Sequence, residues 1–531
     1  MRYRVLLSDT LGPEGLARLR EQPDLDIEAK PGLSPEELCR TIGDFHALII
    51  RSGTKVTAQV LEHAKQLRVI GRAGIGVDNV DVAAATKRGI VVMNTPGGSN
   101  VTTAEHAIAM LMALTRNIPQ AVAGVRAGKW PRNLMGSEVC NKTLGVIGLG
   151  NIGTIVAERA LGLRMKVIAY DPFVTAETAA RIGVELVTLD QMYPRADYIT
   201  IHTPLTSETR GLIGRDAIAK MRCGVRIVNC ARGGIIDEAA LAAAITSGHV
   251  AGAALDVLEK EPPPPDHPLL KMEQVICTPH LGAQTGEAQV NVAIAIAQQV
   301  AEFLTKGTIQ NAVNAPSLSP EVLQVLRPYL RLAEKLGGLA AQLAGDKPNE
   351  VTVYPSGDTA EREVKTLTTA VLRGLLGSLV ESAEDPVNYV NAPAMARDRG
   401  IRVIQSRTPH AGAYRNALGV KMETPSGTTR VAGAVFDADT IRVTQIDDFK
   451  LEAVPEGYVL LLHNQDVPGV VGRVGTLLGE NKINIAGLEL GREHVGGMAL
   501  SLFHVDDPVP DAVLDALRTH PNVVSATLLR L

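Results

Sequence analysis

Three segments of the chain carry side chains that together could oxidise an alcohol. Arg232 lies in Asn-Cys-Ala-Arg-Gly-Gly (229–234), Glu261 precedes a proline run, and His280 lies in Thr-Pro-His-Leu-Gly-Ala (278–283). An arginine can bind a carboxylate and a carbonyl oxygen through its fork of N–H groups, and a histidine can accept a proton near neutral pH. Taken alone, each of these residues could instead have only a structural role. Beside a bound dinucleotide, the three would supply what hydride transfer from a secondary alcohol requires.

A glycine-rich segment predicts the dinucleotide site. Residues 143–153 pass from an apolar strand through G-x-G-x-x-G into a helix-like run. Gly148 permits the tight turn, Gly150 lets the backbone approach the pyrophosphate, and Gly153 allows close helix–strand packing. The next strand ends at Asp171, whose carboxylate can bind both ribose hydroxyls and would repel a 2′-phosphate. The pattern predicts NAD rather than NADP; the competing interpretation is a structural turn in a generic α/β domain.

Two turns nearer the start of the chain place arginines after apolar strands. Arg51 follows one strand, and Arg72 follows the next and precedes Gly74-Ile75-Gly76. The backbone of these last residues could present N–H groups to an oxyanion. Two arginines beside it indicate a second anionic group on the substrate, such as a phosphate. The competing interpretation is that both arginines are solvated charges.

Apolar runs place these segments at the ends of parallel strands. Strands of a first unit are predicted at 4–9, 46–50, 67–70 and 90–93. A helical stretch (100–128) leads into the dinucleotide unit, and a helix (289–305) returns to the first unit. The six strands of the dinucleotide unit are predicted at 145–149, 166–170, 197–202, 225–229, 251–256 and 275–278. Because ligands gather at the carboxyl ends of such strands, we expect these side chains at one cleft.

The rest of the chain carries two further units. A linker rich in Asn, Ser and Pro (310–320) precedes a predicted helix (321–343) and then mixed helices and strands to about residue 452. After a second linker (454–457), the last residues (457–531) are predicted as β-α-β-β-α-β. This order is typical of a small ferredoxin-like module.

Composition argues against several classes of function. The chain has 531 residues and a net charge of −4, with no block of Lys and Arg that would indicate a nucleic-acid partner. The apolar run 107–114 is too short to cross a bilayer, so we expect no membrane span. The five cysteines form no C-x-x-C pair. We therefore expect no disulfide framework, no metal site and a reducing, cytoplasmic setting.

Six motifs give the chain a resemblance to the D-2-hydroxyacid dehydrogenase family. They are GRAGIGVDNVD (71–81), NTPGGSN (94–100), TLGVIGLGNIG (143–153), VNCARGGIIDE (228–238), LDVLEKEPP (255–263) and TPHLGAQT (278–285). The C-terminal half resembles the long members of that family, which carry an intervening domain and a C-terminal ACT regulatory domain. The resemblance covers nearly the whole chain.

The resemblance implies an α/β chain with four domains and a homo-oligomer, expected to be a tetramer. Two Rossmann-like doubly wound domains come first: a substrate-binding domain (1–98 with 284–315) and an NAD-binding domain (99–283). An α+β intervening regulatory domain (316–452) and a ferredoxin-like βαββαβ ACT domain (457–531) follow.

The resemblance also implies NAD-dependent oxidation of 3-phosphoglycerate to 3-phosphohydroxypyruvate, the first step of the phosphorylated route to L-serine. Arg232 would hold the substrate carboxylate and carbonyl oxygen, and His280, paired with Glu261, would accept the hydroxyl proton. Further substrate contacts are expected at Arg51, Arg72, Gly74, Ile75 and Asn100. Cofactor contacts are expected at Gly148, Gly150, Asn151, Ile152, Gly153, Asp171, Thr203, Cys230, Ala231, Arg232, Asp256, His280, Leu281, Gly282 and Ala283.

Regulation by L-serine is expected in the ACT part. Asn464, Asp466 and Asn484 lie where related enzymes bind serine across a dimer interface, although family members often carry His or Tyr at the position of Asn464. The competing interpretation is that this module only assembles subunits. Trp130 lies in a loop between the first two units and is expected either at a subunit contact or buried within its own domain.

Two alternative functions remain open from the sequence. The chain could be another enzyme of the family, such as a glyoxylate or hydroxypyruvate reductase, although simple reductases usually lack the C-terminal extension. It could also be a sensor that binds NAD(H) and an amino acid without turnover. The presence of Arg232, Glu261 and His280 counts against the sensor.

Overall fold

The structure is a computed structural model that describes residues 2–318, 320–357, 363–379, 386–406, 414, 416–436 and 440–531. Within these residues the chain forms four sheets. The first two are parallel, the third is mixed, and the fourth is antiparallel. The predicted fold class is confirmed.

The first sheet has five parallel strands in the order β2-β1-β3-β4-β5. The strands are β1 (Tyr3–Leu7), β2 (Leu25–Ala29), β3 (Ala47–Ile50), β4 (Val69–Arg72) and β5 (Val91–Met93). The helices are α1 (Pro13–Arg20), α2 (Pro35–Thr41), α3 (Ala58–His63) and α4 (Val82–Lys87), with a 3-10 turn at Ile42–Asp44. The edge strand β2 was not predicted, because its alternating charged residues leave it only partly buried.

The second sheet has seven parallel strands in the order β12-β11-β10-β9-β6-β7-β8. The strands are β6 (Thr143–Ile147), β7 (Lys166–Tyr170), β8 (Glu185–Leu186), β9 (Tyr198–Ile201), β10 (Val225–Asn229), β11 (Val250–Leu255) and β12 (Val275–Cys277). The sequence predicted six of these strands. It missed β8, which has only two residues and therefore no periodic signal.

Helices cover both faces of the second sheet. They are α5 (Asn100–Thr115), α6 (Ile118–Arg126), α7 (Asn151–Gly162), α8 (Ala176–Arg181), α9 (Leu189–Met192), α10 (Arg215–Lys220) and α11 (Glu238–Thr246), with a 3-10 turn at Pro268–Lys271. The predicted continuous helix from residue 100 to 128 is wrong. The backbone turns left-handed at Asn117 (φ 50°) and Pro119 lies in the first turn of α6, so the helix breaks there. The long helix α12 (Gly286–Lys306) returns to pack on α1, as predicted.

Among the residues that the structure describes, no single helix is long and apolar enough to span a membrane. Taken together, helices α5 and α6 have the length and apolar composition of a membrane span, but they meet at a bend of 65°.

The third sheet is mixed and has the order β14-β13-β15-β16-β17-β18. Its strands are β13 (Glu350–Ser356), β14 (Arg402–Gln405), β15 (Ala417–Thr424), β16 (Gly427–Val435), β17 (Ile441–Ile446) and β18 (Phe449–Ala453). The helices α13 (Pro320–Ala344), α14 (Val364–Leu379) and α15 (Ala392–Asp398) accompany it. Its core continues into the last unit, because Val459 and Leu461 of the fourth sheet are buried against it.

The last unit has the predicted βαββαβ order and an antiparallel sheet, β20-β21-β19-β22. Its elements are β19 (Tyr458–Gln465), α16 (Val470–Glu480), β20 (Ile485–Arg492), β21 (Met498–Val505), α17 (Asp511–Arg518) and β22 (Val523–Arg530). Alternate residues of β19 face opposite ways. Leu460 and Leu462 pack under the two helices, and the other face contacts the third unit. Both faces of the central strands β19 and β21 are therefore largely buried, whereas the edge strand β20 keeps exposed residues.

Candidate active site

A cavity of about 280 Å³ lies in the cleft between the first two sheets. It is bounded by loops that follow strands of both sheets and by the first residues of α5 and α7. The sequence-predicted residues that line it are Arg72, Ile75, Asn100, Asn151, Ile152, Thr203, Cys230, Ala231, Arg232, His280, Gly282 and Ala283. The strand-end argument thus located the cleft.

His280 and Glu261 form the predicted pair at this cavity. The Nδ1 atom of His280 lies 2.8 Å from Oε2 of Glu261, and the other carboxylate oxygen of Glu261 accepts the backbone N–H of Leu258. The hydrogen bond to Glu261 raises the pKa of His280 although burial opposes this. With its Nδ1 proton held by Glu261, the imidazole keeps Nε2 as a proton acceptor.

Asp256 fixes the loop that carries His280. Its carboxylate is fully buried and accepts hydrogen bonds from the Thr278 hydroxyl (2.6 Å) and from the backbone N–H groups of Leu281 and Gly282 (2.8 Å each). His106 Nε2 lies 3.1 Å from the same carboxylate. Burial would raise the pKa of Asp256, but the hydrogen bonds, first that from His106, outweigh it and lower the pKa.

A second histidine at the cavity, His202, is a poor proton acceptor. Burial lowers its pKa to about 4, and its Nε2 lies 2.9 Å from the Thr200 hydroxyl. The structure gives it no carboxylate partner among the described side chains. The two histidines therefore differ in basicity, and only His280 suits acid–base chemistry near neutral pH.

Arg232 lies in the loop after β10, where the Asn229 side chain bonds the Ala231 N–H and the Arg232 carbonyl oxygen. Its guanidinium donates from Nε to Asp78 Oδ2 at 2.9 Å and from Nη1 to the Ala231 carbonyl at 2.7 Å. A Cβ at Gly76 would lie 1.9 Å from its Nη2. The guanidinium therefore lies directly against the backbone of the opposite wall.

Arg72 approaches the cavity from that opposite wall. Burial, and then the charge of Arg232, lower the pKa of Arg72 to about 10, so it stays protonated near neutral pH. Its buried Nε has no hydrogen-bond partner among the described residues. Arg51 and Gly74 do not line the cavity. The Gly74 N–H donates to the Thr95 hydroxyl at 2.8 Å and is not free for an oxyanion, whereas the guanidinium of Arg72 occupies the space beside Gly74.

The nucleotide turn has the geometry that its glycines predicted. Gly148 adopts φ 92°, and a Cβ there would meet the His202 carbonyl oxygen at 2.6 Å. A Cβ at Gly153 would lie 1.9 Å from the Gly148 carbonyl oxygen, whereas Gly150 faces open space. Since Gly150 is the N-cap of α7, the first N–H groups of that helix have no intrahelical partner and can bind phosphate.

The residues around the turn fit a dinucleotide. The buried Thr203 hydroxyl at the cavity has no partner within the described chain, so a bound group could supply one. Asp171 follows β7, and its carboxylate accepts the N–H groups of Leu149 and Phe173, both at 2.8 Å. These two bonds hold the carboxylate at the end of the strand. Burial raises the pKa of the Cys230 thiol, which favours its protonated form.

Sequence reasoning missed several residues of the cleft. Asp78 contacts Arg232 and His106 contacts Asp256 across long stretches of chain. Asp78 lies within the motif at 71–81, but no local pattern reveals a partner 154 positions away. His106 lies within the predicted helix (100–128), where no local pattern points to Asp256.

The three predicted effector residues are not brought together within one chain. Asn464, buried at the end of β19, accepts from Ser501, and Asp466 beyond it contacts Arg492. Asn484 precedes β20 and donates to Asp506 at the opposite end of the sheet. β21 also separates the two strands.

Trp130 is exposed, with 72% of its surface accessible. The expectation of a ring buried in its own domain is therefore wrong. Helix α6 nearby has no buried residue in this chain. Apolar side chains are exposed across this helix and the loop after it, at Ile118, Val122, Val125, Trp130, Leu134 and Met135.

Comparison with known proteins identifies the class. The family model for the D-isomer specific 2-hydroxyacid dehydrogenase NAD-binding domain matches residues 108–282. Models for the D-3-phosphoglycerate dehydrogenase intervening domain and the ACT domain match residues 325–447 and 458–522. The fold and the cleft are those of an NAD-dependent D-2-hydroxyacid dehydrogenase, so the enzyme class and the cofactor prediction are confirmed.

Full-length relatives define the family more closely. D-3-phosphoglycerate dehydrogenase of Archaeoglobus fulgidus is 45% identical over 99% of this chain and all of its own length. The enzyme of that name from Bacillus subtilis is 41% identical over the whole of both chains. The chain belongs to the D-3-phosphoglycerate dehydrogenase family.

Solved structures match somewhat more than half of the chain. TT0316 protein of Thermus thermophilus is 35% identical, with a TM-score of 0.54 over 58% of this chain and 99% of its own. Apo D-lactate dehydrogenase of Escherichia coli is 30% identical, with a TM-score of 0.52 over 59% and 99%. The paired parallel sheets are therefore shared with shorter 2-hydroxyacid dehydrogenases.

Proposed function

We propose that this chain oxidises 3-phosphoglycerate to 3-phosphohydroxypyruvate with NAD, the first step of the phosphorylated route to L-serine. The observation that carries the proposal is one cavity lined by Arg232, Arg72 and the histidine of the His280–Glu261 pair. The names of the full-length relatives support the same substrate.

His280 is the acid–base group of the proposed reaction. Its Nε2 accepts the proton of the substrate hydroxyl, and Glu261 stabilises the imidazolium that forms. In the reverse direction the imidazolium returns the proton to the carbonyl oxygen. The raised pKa of His280 favours this proton acceptance. A positioned acid–base group contributes roughly 10²- to 10⁴-fold in rate.

The cationic side chains match a substrate with two anionic ends. Arg232 binds the carboxylate and the carbonyl oxygen beside His280, which orients the reacting carbon. A phosphate at the other end would give the unpartnered Nε of Arg72 an acceptor. Arg51 adds positive charge near Arg72, and Gly74, Ile75 and Asn100 remain predicted contacts.

Bound NAD supplies the oxidant, because its nicotinamide accepts the hydride that leaves the substrate carbon. We assign the pyrophosphate to the glycine turn and the first residues of α7, and the ribose to Asp171. We assign the nicotinamide end to Thr203 and to two loops. The first loop carries Cys230, Ala231 and Arg232, and the second runs from His280 to Ala283. In this proposal Asp256 acts mainly through the latter loop, whose N–H groups it holds.

We propose that L-serine regulates the enzyme through the ACT domain. Asp466 and Asn484 lie at opposite ends of one sheet, so they could share a ligand only if a second copy contributed one of them. Asn464 is already bonded to Ser501, so it would contact serine only after rearrangement. The effector site would therefore exist in the oligomer and not in a single subunit.

We propose the four-domain division given above, with the substrate domain formed by 1–98 and 284–315. One hydrophobic core that joins strands β1 to β5 with α12 supports this discontinuous domain. The exposed apolar surface of α6 supports a subunit contact, and we propose a homotetramer. The five free cysteines accord with a reducing cytoplasm.

The experiment follows NADH absorbance with NAD and either 3-phosphoglycerate or glycerate. We expect kcat/KM for 3-phosphoglycerate to exceed that for glycerate by on the order of 10²-fold, since glycerate leaves the phosphate site empty. We also expect NADH to be oxidised by 3-phosphohydroxypyruvate. Equal rates with glycerate would favour a simple reductase, and NADH binding without turnover would favour a sensor.

A further inference from the structure

An ion pair joins the two walls of the cleft. Asp78 belongs to the loop between β4 and α4 on the substrate-domain wall, and Arg232 belongs to the loop between β10 and α11 on the NAD-domain wall. Asp78 Oδ2 accepts from Arg232 Nε at 2.9 Å. The pair is only partly shielded, because 27% of the arginine side chain and 66% of the aspartate side chain are exposed.

The remaining contacts of Arg232 leave one part of its guanidinium for a ligand. Nη1 donates to the carbonyl oxygen of Ala231 at 2.7 Å. Nη2 lies against Gly76, where a Cβ would be only 1.9 Å away, and it forms no hydrogen bond within the described residues. The bonds of Nε and Nη1 hold the plane of the guanidinium, and Arg232 lines the cavity with Nη2 unpaired within the described residues.

We propose that Asp78 is a positioning residue, which reaches across the cleft to orient Arg232 for the substrate carboxylate. The inference rests on the proposed function, because it gives Arg232 a hydroxyacid to bind. The carboxylate of Asp78 also acts on both arginines of the cleft, because it is paired with Arg232 and its charge opposes the effect of Arg232 on the pKa of Arg72. Its charge offsets their repulsion and lets both arginines face one cavity.

The opposite role is also physically distinct and testable. If Asp78 merely occupied Arg232 until substrate displaced it, removing the charge would free the guanidinium and tighten substrate binding. If Asp78 orients Arg232, the same change weakens binding. The sign of the effect separates the two roles.

The test compares Asp78→Asn with Asp81→Asn in the full-length protein. Asp81 lies in the same loop but caps α4 by accepting the Ala84 N–H, a role that asparagine can retain. Calorimetry measures 3-phosphoglycerate binding to the enzyme–NADH complex, which cannot turn over. We expect Asp78→Asn to weaken this binding about tenfold, the effect of one charge-assisted hydrogen bond at a partly exposed pair. In Asp78→Asn we expect KM to rise by a similar factor, kcat to change less, and NADH affinity to match wild type. The Asp81→Asn variant should match wild type in all of these properties.

A double-mutant cycle shows whether Asp78 acts through Arg232. In an Arg232→Gln background, adding Asp78→Asn should cost little further affinity, because the group that it orients is gone. Additive losses, or binding by Asp78→Asn as tight as or tighter than wild type, would overturn the inference alone. A wild-type protein that binds NADH but no 3-phosphoglycerate would instead overturn the proposed function and this inference with it.

Discussion

Replacing Gly153 by alanine should separate the nucleotide turn from its helix. A Cβ at this position would lie 1.9 Å from the Gly148 carbonyl oxygen and 3.0 Å from its carbonyl carbon. Because the contacted atoms are backbone, no side chain can move aside. The turn and α7 must therefore move apart by about 1–1.5 Å to relieve the clash.

The size of the effect follows from that displacement. Overpacking of this kind costs about 1–3 kcal/mol, which outweighs the gain of about 0.5–1 kcal/mol that alanine normally brings to a helix. For a domain of this size we expect the melting temperature to fall by about 2–8 °C. NADH affinity should fall on the order of 10- to 100-fold, because a 1 Å shift misplaces the N–H groups that bind the pyrophosphate.

Two other glycines of the same region separate the two effects: Gly162 provides a control, and Gly150 separates NADH binding from stability. Gly162, the last residue of α7, faces open space, so Gly162→Ala should leave NADH binding unchanged and stability unchanged or slightly higher. Gly150 also has no neighbour within 4 Å, so Gly150→Ala should fold normally yet bind NADH weakly, since its Cβ would occupy the approach of the pyrophosphate. Thermal unfolding and NADH fluorescence titration measure both properties. Wild-type melting temperature and affinity in Gly153→Ala would refute the steric argument.

Two further changes test the chemistry of the cleft. Glu261 raises the pKa of His280, so Glu261→Gln should lower that pKa. Oxidation needs the neutral imidazole, so the acid limb of its kcat/KM profile should move to lower pH. The reverse reaction needs the imidazolium, so its loss of activity with rising pH should also begin at a lower pH. The maximal rate should fall about tenfold or more, and pH profiles that superimpose on those of wild type would contradict this role. Asp171→Asn removes the charge that would repel a 2′-phosphate but keeps an oxygen that can accept the Leu149 N–H. The kcat/KM for NAD divided by that for NADP should therefore fall about tenfold or more. An unchanged ratio would show that Asp171 does not face the ribose.

The sequence revealed those parts of the site that local chemistry determines. Strand, turn and helix follow one another directly at 143–153, and the close approach of Gly153 to Gly148 lies within that segment. Likewise, Arg232 follows the largely buried strand β10 and His280 follows the edge strand β12, and parallel strands end at one edge of the sheet. The cleft could be predicted because sheet topology converts separate motifs into neighbours.

The features that sequence analysis missed depend on weak or distant signals. Strand β2 has alternating charges because it lies at an edge, and the break at Asn117 depends on a single left-handed residue. The contact of Asp78 with Arg232 depends on how two domains face each other, which no segment of the chain encodes locally. The same holds for the predicted effector residues, whose side chains make other contacts within the chain.

The division of labour between the two walls explains why the proposed reaction needs both of them. In the proposed reaction the NAD-domain wall would supply the base, its carboxylate partner and the arginine for the substrate carboxylate. The other wall would supply Arg72 for the distant anionic group and Asp78 for the orientation of Arg232. A dehydrogenase excludes water from the reacting carbon during hydride transfer but must afterwards release its product. Its cleft therefore has to close and open. Since the orientation of Arg232 depends on contact with the opposite wall, the carboxylate site would be complete only when the cleft is closed.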